Sequence, residues 1–284
     1  MNVVPPRRFR FFKKPPTLPG FALSFGFVVT YLTLLVLIPI CAVLLTTAQM
    51  GWSAFWDAVT DERALAAYGL TFGASLCAAA VNVVLGFATA WALVRYRFPG
   101  RRILDALIDL PFAIPTAVSG IALTAVFAPN GWVGAVFARY DVPIAFTRGG
   151  VVLALIFIGI PFVVRTVESA LLDLDEAPIE AARSLGASRA VIFWRIILPE
   201  CRAALFVGFA LSFARAVGEY GSVIFIAGNM PYRTEIAPLL IMTKLEQYDY
   251  AGATAIASTL LVISFVMLFA LNQARTRIGR AVSS

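Results

Sequence analysis

Residues able to do chemistry are sparse in this sequence. Arg215 and Glu219 are two charges inside an otherwise apolar stretch, 203–227, and they lie four positions apart. At helical spacing they share a face. A charge at the centre of a bilayer costs about 2.5–3.5 kcal/mol on insertion scales, so each must face protein or water. Two roles fit the pair: Arg215 binds an anion in passage, or the two residues form a buried ion pair. Glu219 neutralises the site, and a strong anion trap would slow release, which favours the pair. In another apolar stretch Pro111 and Pro115 also stand four apart, followed by Thr116 and Ser119. Proline removes a backbone donor and kinks a helix. The freed carbonyls and the two hydroxyls suit the lining of a path. A purely structural kink, its lost bonds restored by neighbouring helices, fits equally well.

A third group lies in the polar stretch between 165 and 202. Glu180-Ala181-Ala182 is followed by three residues, Gly186, nine residues, Ile196, one residue and Leu198-Pro199. The alanines allow close approach to a partner, and Glu180 offers a charge to a basic rim. Gly186 can adopt left-handed angles and end a helix. Ile179, Ala182 and Leu185 share a face at helical spacing. Asp175 suits an N-cap ahead of Pro178, and Ser188 suits the cap of a second short helix running to Pro199.

Other chemistries lack their residues. Histidine is absent, and Cys41, Cys77 and Cys201 are far apart. Neither a zinc site nor a disulfide framework is supported, and no catalytic or metal-ligating set stands out. No GxxxxGK[ST] run occurs, so ATP binding through a P-loop on this chain is not expected. An enzyme is poorly supported, and any energy must come from a partner.

The elements that position these residues follow from composition. Of 284 residues, 60% are hydrophobic and 14% charged, against about 45–50% and about 25% in soluble domains. Lipid must therefore be part of the solvent. A helix needs roughly 20 apolar residues to cross the hydrocarbon core. Six stretches qualify or nearly do: 21–48, 64–94, 110–128, 149–172, 203–227 and 251–274. They are too long and too uniformly apolar for barrel strands. The expectation is an all-α integral membrane protein with a basic tail at 1–20, a transmembrane domain at 21–274 and a second basic tail at 275–284. A loop at 173–200 interrupts the spans. Asn82, inside the second stretch, suits a hydrogen bond between helices.

Lysine and arginine alternate between the two sides. The N-terminal tail has five, 95–109 has four, 165–202 has five and the C-terminal tail three, seventeen together. The intervening stretches hold five: Arg63, Arg139, Arg148, Arg233 and Lys244. Both termini and the 173–200 loop are therefore expected in the cytoplasm. The same bias accounts for the net charge of +7 without nucleic acid.

The 180–199 spacing resembles the EAA loop of permeases in the ATP-binding-cassette importer family, at every defining position. RYRFPG at 95–100, DLPFAIPT at 109–116, PFVVRT at 161–166 and LSFARAVGEYG at 211–221 are similar to the sulfate/molybdate branch of that family. VIFIAGN at 223–229 and QYDYAGA at 247–253 narrow the resemblance to permeases of bacterial sulfate/thiosulfate importers. It runs from about Pro19 to the C-terminus. The resemblance implies a type I importer permease fold in the bacterial inner membrane, working by alternating access. It implies a homologous sister permease, a dimeric ATPase that carries ATP and Mg, and a periplasmic sulfate-binding protein. No cofactor is implied on this chain. Molybdate or another oxyanion is the rival substrate. A passive anion channel is the rival class, which the loop argues against because a channel needs no ATPase dock.

Overall fold

The computed structural model describes residues 21–280, with the backbone alone for Ala22 and for 274–280. The expected tail at 1–20 lies outside the described residues, as do the last four residues of the tail at 275–284. In chain order the elements are α1 (Phe21–Leu32), a π-wound turn (Thr33–Leu37), α2 (Ile38–Ala48), α3 (Trp52–Val59), α4 (Glu62–Arg95), α5 (Arg101–Ala113), α6 (Thr116–Phe127), α7 (Gly134–Ala138), α8 (Arg148–Leu172), α9 (Ala177–Ser184), α10 (Arg189–Ile192), a second π-wound turn (Phe193–Ile197), α11 (Leu198–Val217), α12 (Gly221–Ala227), α13 (Ala237–Glu246) and α14 (Tyr250–Arg280). No strand occurs among the described residues.

Local chemistry sets the helix starts. Asp61 accepts the Arg63 N–H at 3.2 Å ahead of α4, and Thr147 Oγ1 accepts the Gly150 N–H at 3.3 Å ahead of α8. Asp249 accepts the Gly252 N–H at 2.8 Å ahead of α14 and binds Lys244 at 2.9 Å. Lys244 and that backbone N–H hold the Asp249 carboxyl below its ordinary range.

Among the described residues five helices are long and apolar enough to span: Leu23–Ala48, Glu62–Arg95, Arg148–Leu172, Arg189–Val217 and Tyr250–Gln273. A bent pair, α5 and α6, makes a sixth crossing if taken together. The apolar run at 110–128 is thus not one helix. It holds the end of α5 and all of α6, between which the chain bends by 118°. With 12 residues, α6 is only about 18 Å long, too short to cross alone. The run at 203–227 is also broken, between Val217 and Gly221.

The core is built from α4, α8 and α11. Near one end Ala90, Leu93, Val167, Leu171 and Cys201 cluster; near the other Ala74, Ala78, Val151, Leu155 and Ala216 do. Thus α4 and α8 run parallel and α11 runs against both. Glycines let them touch. A Cβ on Gly86 would sit 2.7 Å from Val163 Cγ1, and one on Gly208 would sit 2.9 Å from Val163 Cα. A Cβ on Gly159 would meet Ser212 Oγ at 2.3 Å and Asn82 Nδ2 at 2.5 Å. There Asn82 Nδ2 donates to Ser212 Oγ at 3.0 Å, the interhelical bond expected of a buried span asparagine. Outside this core, α14 packs on α13, α11, α2 and α3. Leu23–Ala48 is lined with exposed apolar side chains and joins α14 through Thr47 and Ser258, 2.8 Å apart.

Replacing Gly159 by alanine should lower stability by about 1–3 kcal/mol, the usual effect of overpacking. Gly73→Ala, where nothing lies within 4 Å of the added carbon, should be neutral or mildly stabilising. Thermal unfolding of the two variants in detergent checks the contrast.

Candidate functional site

The 173–200 loop is a folded unit. Helix α9 ends in a Schellman motif: the Gly186 N–H bonds Arg183 O at 2.9 Å and the Ala187 N–H bonds Ala182 O at 3.0 Å. Gly186 has φ +79°, and nothing lies within 4 Å of where a Cβ would be. The requirement for glycine is therefore conformational rather than steric. Ser188 Oγ accepts the Val191 N–H at 3.4 Å, capping α10.

The inner face of the loop is bolted to the bundle. Ile179 is 1% exposed and packs with Leu93, Val167, Leu171, Ile192 and Ile197, and Ala182 joins them. Glu176 pairs with Arg95 at the end of α4. Glu180 and Ala181 face outward. Three expectations are corrected here. Leu185 does not continue the face of Ile179 and Ala182; it is 88% exposed, because it is the C-cap and its backbone (φ −81°, ψ 6°) has left the helix. Asp175 stands one residue too early to be the N-cap; Glu176 holds that position, and Asp175 Oδ1 accepts the Ala177 N–H at 3.0 Å. The second loop helix does not stop at Pro199. The π-wound turn, closed by the Leu198 N–H on Phe193 O, carries it into α11, with Leu198 and Pro199 half-buried in the first turn. The π turn lies where the proline nitrogen supplies no hydrogen bond.

The second group is a pair of broken helices. Pro115 makes the α5–α6 bend: it holds the preceding Ile114 extended (φ −99°, ψ 144°), as proline does to its predecessor. Pro111 lies inside α5, which runs through it without a break. The α11–α12 break is spanned by Glu219. Its Oε2 lies 2.6 Å from Arg215 Nη1, and its Oε1 accepts both the backbone N–H and the hydroxyl of Ser222 at 2.9 Å. Glu219 is 2% exposed as a side chain and Arg215 33%. The carboxylate thus joins the end of one half-helix to the start of the next, where it also faces the positive end of α12. The breaks pack together through two glycines. A Cβ on Gly120 would lie 2.5 Å from Ser222 O, and one on Gly221 would lie 2.2 Å from Thr116 Oγ1. Ser119 is buried beside this crossing and points back to Pro115 O at 3.4 Å.

One cluster had only a partial signal along the chain. Arg165 takes Asp109 with two bonds (2.9 and 2.6 Å), Asp105 at 2.7 Å and Glu168 at 2.6 Å, clamping α5 to α8. At the other end Arg63 grips Glu235 with two bonds of 2.7 Å. Asp105 and Asp109 share an α5 face, a pattern that invites an arginine; nothing in the sequence says which one.

Residues 82–283, which include the loop and both breaks, match the family described as binding-protein-dependent transport system inner membrane components. The chain belongs to that family. It is 53% identical over 249 residues to the sulfate transport system permease protein CysT of Synechococcus elongatus, covering 88% of this chain and 90% of that one. It is 46% identical over 265 residues to CysT of Salmonella typhimurium, covering 93% and 96%. A bacterial ABC transporter for the acidic polysaccharide alginate superposes with a TM-score of 0.76 over 91% of this chain and 96% of its own, at 17% identity. The permease therefore has the type I importer fold, and its role is membrane transport.

Two substitutions probe the two groups. Gly186→Val should abolish transport while leaving membrane insertion intact, whereas Gly186→Asn, a residue tolerated at left-handed angles, should retain most activity. Uptake at matched expression reads this. Glu219→Ala should destabilise the permease by roughly 3 kcal/mol, because it strands Arg215 and the Ser222 donors. Adding Arg215→Ala should cost less than the sum of the two single changes in thermal unfolding.

Proposed function

We propose that this permease carries sulfate or thiosulfate into the cytoplasm as one membrane subunit of an ATP-driven importer. Both termini and the 173–200 loop face the cytoplasm, as the charge bias indicates. The loop docks on an ATPase subunit that binds ATP and Mg. A homologous sister permease forms the other half of the pore, because a paired ATPase offers two docks and this chain has one loop. A periplasmic binding protein delivers the anion.

One observation carries the coupling role: Ile179 and Ala182 seat the loop on the ends of α4 and α8, while Glu180, Ala181 and Leu185 point out. A push on the outer face must then move the two core helices. At the other end of that core, α11 leads into the crossing of α6 and α12. In this reading Thr116, Ser119, Arg215 and Glu219 form a jointed gate. Arg215 is a positioning residue held by Glu219 rather than a sulfate trap. ATP binding closes the ATPase pair, the loop transmits the motion, and the gate opens outward. Each ligand shifts the equilibrium only by its differential affinity for the two states. The substrate reading is supported by the names of relatives 46–53% identical over most of the chain.

Uptake of radiolabelled sulfate by proteoliposomes containing the permease, sister, ATPase and binding protein tests this. Accumulation should require ATP and the binding protein, and thiosulfate should compete. Sulfate flux without ATP would point to a channel. Molybdate accumulation with no sulfate uptake would reassign the substrate.

A further inference from the structure

A cavity of about 570 Å³ lies between the end of α4 and the loop helices, away from the α6–α12 crossing. Trp91, Ile192 and Phe193 supply apolar walls, and Arg95, Arg183 and Arg189 line the same space. No carboxylate lines it. Arg183 and Arg189 are exposed and make no ion pair. Arg95 uses one nitrogen, Nη1, on Glu176 and stacks 5.6 Å from the Trp91 ring centre. Its other two nitrogens, Nε and Nη2, are buried and have no hydrogen-bond partner.

This charge is unusual for a structural site. The cavity is thus lined by three guanidinium groups, of which one is paired with a carboxylate, Glu176. Buried donors without acceptors are costly. Guanidinium forks match planar or tetrahedral oxygen anions and bind them through paired, charge-assisted bonds. The arginines come from three separate places, α4, α9 and α10, so one anion would tie the end of a core helix to both loop helices.

We propose that this cavity binds a tetrahedral oxyanion group, carried either by free sulfate or phosphate or by the headgroup of an anionic phospholipid. The cytoplasmic placement of the loop, part of the function proposed above, puts the site on the side where imported anion is released and where the inner leaflet ends. Occupancy would hold the loop against α4 and so bias the coupling step.

The test uses the assembled transporter, wild type and R183Q/R189Q. Both positions are exposed, so the fold should tolerate the change. In nanodiscs of phosphatidylcholine, radiolabelled inorganic phosphate is titrated. In nanodiscs containing phosphatidylglycerol, retained lipids are counted by native mass measurement. Phosphate binding weakened at least tenfold in the variant supports the site as one for free anions. A phosphatidylglycerol retained by the wild type and lost from the variant supports the headgroup. Equal behaviour of the two proteins in both arms overturns the proposal. So does loss of the ATPase from the variant complex, which would assign these arginines to that partner. Sulfate uptake by the wild-type preparation is the control. Absent uptake faults the functional reading, whereas normal uptake with no difference between the proteins faults the anion site alone.

Discussion

Three glycines set how closely the central helices approach, and the rest of the architecture hangs on that distance. Between helices in lipid there is little hydrophobic drive, so association depends on van der Waals packing and on hydrogen bonds between helices. Gly86, Gly159 and Gly208 leave no room for a Cβ against α8 or α11. Their absence of side chains brings Asn82 to Ser212 and seats Val163 between α4 and α11. A tight three-helix core can carry irregular backbone around it, which lipid by itself forbids.

Charges serve the joints of that irregular backbone. Glu219 spans the α11–α12 break, Arg165 fixes α5 to α8, and Arg63 with Glu235 ties α4 to the segment ahead of α13. The first joins two half-helices across a turn, and the other two join elements far apart along the chain. The loop extends the same logic beyond the spans. Its inner side belongs to the core, so α9 cannot shift without disturbing the ends of α4 and α8.

The spans were legible because length and hydropathy report directly on crossing a bilayer. Direction is invisible to such a count, so 110–128 reads as one straight run although the chain turns by 118° at Pro115. The extended conformation forced on Ile114 was the available clue. Periodicity misled at Leu185 for a related reason. It assumes a continuing helix, whereas the glycine at 186 releases the backbone one residue earlier. Pro199 looked like a stop because a proline usually ends a helix, and the π-wound turn before it was not foreseeable from residue types. Arg215 and Glu219 were readable as neighbours because their spacing is local. The bonds of Glu219 to Ser222 were not, because they depend on where α11 ends. Arg165 finds partners on a helix more than 50 positions away, a pairing that only the fold supplies.

The central claim is that the outward face of the loop engages an ATPase while its inward face moves the core helices. Single cysteines placed in a cysteine-free background at Ala181, Leu185 and Ile179, followed by cross-linking of the purified complex, test it most directly. The account predicts ATPase adducts from 181 and 185, which are exposed, and none from 179, which is buried. Adducts from 179 alone, or none from 181 and 185 in a complex that transports sulfate, would contradict it.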